Sequence, residues 1–270
     1  VTWQYQDALG VWQSGAPYQY IQACTSSSSC DLYRYGSDKV LYHQLSDGTW
    51  EVTTGEFNGV IYGAGGGTRS IDRIRGPERT AGHSNDPDYA PPALAEFAQI
   101  TIASTNGMRI TRDLQYESPP CTGVPERATP TSPVVTGVCN NLSAKNVLGI
   151  YTQKGTIEIG HNNKDDDLDA PQDVTIHGVL MSGEKQVTVQ DYNKGDQRGA
   201  VHLLGGMIEY NYGGFFTFGS DGKANTGFTR QFKYDERMRE GLAPPYFPTV
   251  GIDGVKAVSI FSFGQREQLR

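Results

Sequence analysis

The sequence predicts an all-β protein: a β-solenoid (β-helix-like) core with loop insertions and a C-terminal capping segment. Three observations carry this. The 270-residue chain is rich in Gly (33), Tyr (15) and Phe (10), poor in Met (4) and only 20% charged, a composition that favours strands and turns over helices. Short alternating apolar segments recur in pairs, each pair separated by a glycine-containing turn. The pairs follow one another at similar but unequal spacing, 19 positions from Ile157 to Ile176 and 27 from Ile176 to Leu203, as stacked coils with loops of variable size require.

Residues 1–49 read as an aromatic, turn-rich N-terminal β segment containing Trp3, Tyr5, Trp12, Tyr18, Tyr20, Tyr33, Tyr35 and Tyr42. Its clearest hairpin signal is Asp47-Gly48, between the strand pattern Lys39–Leu45 and the resumed alternation Thr49–Thr53. Aromatics this dense suit cross-strand pairs and β-core better than a sugar-binding platform. The solenoid core is assigned to 50–218, with insertions near 76–92 and 115–145. The first insertion holds Pro77, Pro87, Pro91 and Pro92 and reads as a solvated loop, with Glu78, Arg79, His83, Asp86 and Asp88 able to decorate a site. The paired units are Ile100–Ile102 with Met108–Ile110, Val147–Ile150 with Thr156–Ile159, Val174–Ile176 with Val187–Val189, and Val201–Leu204 with Met207–Tyr210. A meander of hairpins fits these pairs as well as coils do. Residues 219–270 form the capping segment: a short helix over Arg230–Glu240, a stop at Pro244-Pro245-Tyr246-Phe247-Pro248, and a last strand at Val258–Phe263.

The four cysteines fall into two local groups, Cys24 with Cys30 and Cys121 with Cys139. Each group brackets a polar or Pro/Thr/Gly-rich loop, where a crosslink removes the most disorder. Metal-type CxxC spacing is absent, so two disulfides and an extracytoplasmic location, at the cell surface or in the periplasm, are expected. No stretch is apolar enough to span a membrane. The sequence begins at Val1, which reads as a mature or trimmed product or a fragment of a longer protein. A net charge of −7 repels phosphate backbones on average, so nucleic-acid contact would need a local basic patch. The candidate patch is Arg69, Arg73 and Arg75, with Arg79 beyond, although Asp72 and Glu78 interleave it; Arg230, Lys233, Arg237 and Arg239 form a second run.

Three further features could carry chemistry. Asp165, Asp167 and Asp169 crowd hard oxygen ligands into one loop, a candidate Ca2+ site without the EF-hand pattern; no other cofactor is expected. Gly63–Gly67 resembles a dinucleotide-binding turn, but Gly76-Pro77 ends any following helix, so it reads as a turn between coils. Outward Glu158, Asp191 and Glu209 would be the carboxylates of a solenoid lyase or hydrolase. No GxSxG, HExxH or Walker sequence is present, so no catalytic residue is assigned and the chain reads as a non-enzyme.

The stretches Phe57-Asn58-Gly59-Val60-Ile61-Tyr62, Asn146-Val147-Leu148-Gly149-Ile150 with Gly155-Thr156-Ile157-Glu158-Ile159, and Tyr234-Asp235-Glu236-Arg237 with Pro244-Pro245-Tyr246-Phe247-Pro248 carry a family resemblance. Together they resemble a Deinococcus–Thermus envelope family that includes proteins similar to the ComZ competence pseudopilin, over roughly Phe57 to Pro248. The resemblance implies a solenoid displayed outside the cell, near type IV pili or the DNA-uptake machinery. It assigns no catalytic residues, and the hydrophobic pilin helix has no counterpart in this sequence. The expected function is a non-catalytic adhesion or assembly module whose partners are envelope or pilus proteins, with DNA or polysaccharide as further ligands. The alternatives are a carbohydrate-active solenoid enzyme and a structural envelope subunit.

Overall fold

The computed structural model describes residues 3–6, 12–15, 18–26, 28–83, 86–122, 138–160 and 173–248. The protein is all-β: strands dominate, and the only helical elements among the described residues are two short 3-10 turns, Pro87–Tyr89 and Glu236–Glu240.

Strands β1 (Trp3–Gln6) and β2 (Trp12–Gly15) pair antiparallel. Strands β3 (Gln19–Ser26), β4 (Ser29–Tyr35), β5 (Leu41–Gln44) and β6 (Trp50–Thr54) then form a four-stranded antiparallel sheet in chain order. The β5–β6 reversal is made by Asp47-Gly48: Gly48 has φ of 83°, and Asp47 accepts a hydrogen bond from the Thr49 N–H at 2.9 Å. The reversal assigns Trp50–Thr54 to the N-terminal sheet instead of the core, a correction to the boundary read from sequence. The dense aromatics pack as cross-strand groups. Arg34 lies between the Tyr18 and Trp50 rings at 4.3 and 4.1 Å. Buried Tyr35 contacts Phe57 and Phe97, which docks this sheet on the rest of the chain. The Gln19 carboxamide adds hydrogen bonds to the Ala93 carbonyl and the Ala95 N–H.

The remaining strands are β7 (Val60–Gly63), β8 (Arg69–Ile74), β9 (Gln99–Ser104), β10 (Gly107–Ile110), β11 (Cys121–Thr122), β12 (Val138–Cys139), β13 (Val147–Thr152), β14 (Ile157–Ile159), β15 (Val174–Ser182), β16 (Val187–Val189), β17 (Gln197–Glu209), β18 (Phe216–Phe218) and β19 (Ala224–Tyr234). One sheet runs β7-β9-β13-β15-β17-β19, all parallel, with β18 antiparallel at its end. A second parallel sheet runs β8-β10-β14-β16. From β7 to β17, apart from the separate β11–β12 pair, successive strands alternate between the two sheets, whereas β17, β18 and β19 all belong to the first. The paired units are therefore not hairpins: Ile100-Thr101-Ile102 hydrogen-bonds alongside Leu148-Gly149-Ile150, not to Met108–Ile110. The glycine run Gly63–Gly67 is the turn from β7 to β8.

Register explains the core. Ile74, Ile110, Ile159 and Val189 stack in line through the second sheet, and Ile102, Ile150, Leu180 and Met207 do so through the first. Ile110, Ile150, Ile159, Leu180 and Val189 are buried. Each such aliphatic side chain contributes about 1.5–3 kcal/mol by leaving water. The stacking needs close backbone approach at the turns: a Cβ on Gly155 would collide with the backbone of Gly107.

Two buried ion pairs tie the insertions and the C-terminal region down. Arg79 meets Asp113 in a two-pronged contact at 2.7 and 3.0 Å, and Asp113 also accepts from the Thr175 N–H at 2.8 Å. Both side chains are almost fully buried, so the 76–92 insertion is pinned at Arg79 and is not simply a solvated loop. The 115–145 insertion also starts inside the molecule. Tyr116 is buried, its hydroxyl accepts from the Leu148 N–H, and its own N–H donates to His177 Nδ1. Residues 123–137 of that insertion lie outside the described residues.

The second pair, Arg237 with Asp235, sits where the sequence predicts a helix. The structure has strand β19 up to Tyr234 and a 3-10 turn after it. The reason is local: Phe228, Arg230 and Phe232 alternate along β19, and buried Phe228 together with Phe232 packs on the core, a period of two that the charge count obscured. Segment Pro244–Phe247 then crosses the first sheet. Gly59 and Gly149 leave room for Pro245 and Phe247, and Thr101 Oγ1 donates to the Pro245 carbonyl. The expected last strand, Val258–Phe263, lies outside the described residues.

Candidate functional site

The most distinctive surface is the end of the first parallel sheet, where β17, β18 and β19 meet. The chain leaves β17 at Glu209 and passes through Tyr210, Asn211 and Tyr212 to Gly213-Gly214 before β18. A Cβ at Gly213 would strike the Val187 carbonyl and one at Gly214 the Tyr192 ring, so only glycine lets this connection close over β16. The Glu209 carboxylate secures it, accepting from the N–H groups of Val187 at 2.9 Å and Gly213 at 3.2 Å. Burial pushes the Glu209 carboxyl above its ordinary pKa against the opposing pull of those hydrogen bonds.

This geometry leaves aromatic rings facing water. Tyr210, Tyr212 and Phe218 are 76%, 65% and 62% exposed. Tyr212 and Phe218 flank Arg230, whose guanidinium lies 4.7 Å from both the Tyr212 and the Phe215 ring centres. Phe216 and Phe218 contact edge to face at 4.9 Å, and Phe215 meets Phe232 at 5.7 Å. A largely apolar cleft of about 210 Å³ opens among Phe216, Phe218, Ala224, Thr229, Arg230 and Gln231. Behind this lining, Arg230 Nε and Gln231 Oε1 are buried and have no hydrogen-bond partner among the described residues. Among the described residues β19 is also a sheet edge beyond Phe228, because β18 pairs only with Ala224 to Gly227 and Phe215 accepts from Phe228.

The residues singled out from sequence sit elsewhere. Cys24 bonds to Cys30 across β3–β4, and Cys121 bonds to Cys139 across β11–β12. Two disulfides place the protein in an oxidising, extracytoplasmic setting. No helix among the described residues is long and apolar enough to cross a membrane. Asp165, Asp167 and Asp169 lie outside the described residues; among those described, no cluster of three His, Cys, Asp or Glu could hold a metal ion.

Arg69 donates to Glu158 at 2.8 Å and reaches Asp72 at 3.3 Å, and Arg73 lies 3.5 Å from Asp72. Arg75 also has an interaction partner. The charge of this arginine run is thus largely compensated within the protein. The three carboxylates considered for acid–base work are likewise engaged: Glu158 with Arg69, Asp191 with Lys194 at 2.8 Å, and Glu209 with backbone amides. Sequence reasoning missed the Tyr212–Phe218–Arg230 cluster. Its signal was the run Tyr210-Asn211-Tyr212-Gly213-Gly214-Phe215-Phe216-Thr217-Phe218, too aromatic for an ordinary loop.

No family model, curated protein or solved structure matches this chain.

Proposed function

We propose that this protein is a non-catalytic, extracytoplasmic adhesion or assembly module with a β-solenoid core, serving type IV pili or DNA uptake. Two parallel sheets whose strands alternate along the chain support the solenoid reading. The aromatic edge around Arg230 carries the functional reading: exposed Tyr212 and Phe218 beside an open strand edge and an apolar cleft are features of surfaces that bind another molecule. The link to pili and DNA uptake rests on the resemblance carried by the Phe57–Tyr62, Asn146–Ile159 and Tyr234–Pro248 motifs. Because Arg69 and Arg73 are ion-paired, DNA contact in this reading runs through protein partners.

The test is retention of the purified chain on three immobilised ligands: sheared surface-appendage protein, duplex DNA at several salt concentrations, and envelope polysaccharide. Retention on the appendage protein, weakened roughly tenfold by Tyr212→Ser with Phe218→Ser, is the expected result. Retention on polysaccharide alone, with release of new reducing ends, would overturn it in favour of a carbohydrate-active enzyme. Absence of retention on all three would also overturn it, leaving a structural envelope subunit.

A further inference from the structure

The open edge of β19 has a defined hydrogen-bonding phase. The Phe228 N–H donates outward, to Phe215, while the Asp235 N–H donates inward, to Gly205 on β17. Pairing with β17 is continuous from Thr229 to Tyr234, so alternation directs the N–H and C=O groups of Arg230, Phe232 and Tyr234 away from β17. No strand of the described residues lies on that side. Three side-chain atoms on this short stretch have no hydrogen-bond partner among the described residues: Arg230 Nε, Gln231 Oε1 and Tyr234 Oη.

We infer that this edge pairs with the same edge of a second copy of this chain, antiparallel about a two-fold axis at Phe232. The inference rests on reading the aromatic edge as an association surface. The register follows from charge. Centred on Phe232, the pairing sets Arg230 opposite Tyr234 of the second copy and Gln231 opposite Lys233. At the residue level this places a cation across from a phenol and an amide across from an ammonium. No like charges oppose one another. A register centred on Arg230 would bring two guanidinium groups face to face, and one centred on Tyr234 would run into the turn at Asp235. The arrangement is isologous, so it closes at two copies and removes the open edge from both. Lys233 also lies 4.0 Å from Glu236, a contact loose enough to share with a partner amide. Exposed Phe218 and the cleft beside it flank the new strand pair.

Light scattering across a concentration series of the purified full chain tests this. The expected species has twice the chain's mass. Gln231→Lys sets a lysine opposite Lys233 of the other copy in both symmetric pairs and raises the dimer dissociation constant roughly tenfold. Adding Lys233→Glu to that variant converts the repulsion into attraction and restores the dimer. Both positions are on the surface strand, and unchanged circular dichroism confirms that the variants fold. A monomer at every concentration overturns the inference, as does a dimer indifferent to Gln231→Lys. A monomer whose Arg230, Phe232 and Tyr234 amides resist hydrogen exchange overturns it too, since another strand then fills the edge. A monomer still retained by appendage protein overturns the pairing while the proposed function stands. A charge-switchable dimer that no appendage protein retains supports the pairing and removes only that function.

Discussion

Replacing Arg237 by Met should unfold this protein more readily than any surface change. Arg237 is 1% exposed and its partner Asp235 is wholly buried. The guanidinium donates to the Asp235 carboxylate at 2.6 and 2.9 Å and to the Ala144 carbonyl at 2.7 Å, and it lies near the Tyr116 ring. It therefore clips the turn after β19 to the segment before β13 and holds the aromatic edge in place. Methionine nearly matches the volume but leaves the Asp235 carboxylate buried without its counter-charge. Breaking one side of a buried pair costs about 3–5 kcal/mol. At about 2–4 °C per kcal/mol for a chain of this size, the midpoint should fall by roughly 10 °C or more. Urea and thermal unfolding followed by circular dichroism measure this. The double variant Asp235→Asn with Arg237→Met removes both charges and should recover much of the loss. A single variant within about 1 kcal/mol of the parent, or a double variant no better than the single, would refute this account of the pair.

Other outcomes follow from the same structure. Burial, with Arg237 nearby, pulls the His177 imidazole down to about 3. The folded state therefore holds His177 neutral, and stability should fall as pH drops below about 6.5 toward about 3, by up to about 1.4 kcal/mol per unit. His177→Gln should flatten that limb in acid unfolding curves, and an unchanged slope would count against it. Removing the Cys121–Cys139 bridge, which spans 18 positions, should cost about 3 kcal/mol, against about 2 for Cys24–Cys30 with its separation of 6. Paired Cys→Ser variants compared in urea give the order, and a reversed order would show that strain or unfolded-state structure dominates. Gly155→Ala should destabilise by roughly 2 kcal/mol or more, because its new methyl meets the Gly107 backbone, whereas Ala at open-spaced Gly195 (φ 68°) incurs only backbone strain. Equal midpoints for the two variants would argue against a close backbone approach at Gly107.

Local features were legible where the physics is local. Asp47-Gly48 announced its hairpin because few other residues tolerate that turn, and the Cys24–Cys30 and Cys121–Cys139 pairs were set by nearness in the chain. The alternation in Ile100–Ile102 and Val187–Val189 correctly marked strands. The Arg230–Glu240 stretch misled because its charges hid the alternation of Phe228 and Phe232, whose contact with Phe215 is made only by the fold. The interleaved acids pointed to ion pairing for the Arg69–Arg79 run, as Arg69 and Arg73 beside Asp72 show, but the partners Asp113 and Glu158 lie too far along the chain to be named from sequence.

The sequence by itself determined that this is a β protein, which cysteines pair and hence that it belongs outside the cytoplasm; of its expected turns, Gly205-Gly206 instead lies inside strand β17. Only the tertiary structure decided that the core strands pair parallel across the chain instead of as hairpins. A strand's period of two is the same whichever neighbour it bonds, and the choice is made by stacking Ile74, Ile110, Ile159 and Val189 out of water. The aromatic edge is likewise a product of that stacking: Tyr212, Phe218 and Arg230 are separated in sequence and meet because β18 stops at Phe218, with no further strand beside β19 among the described residues.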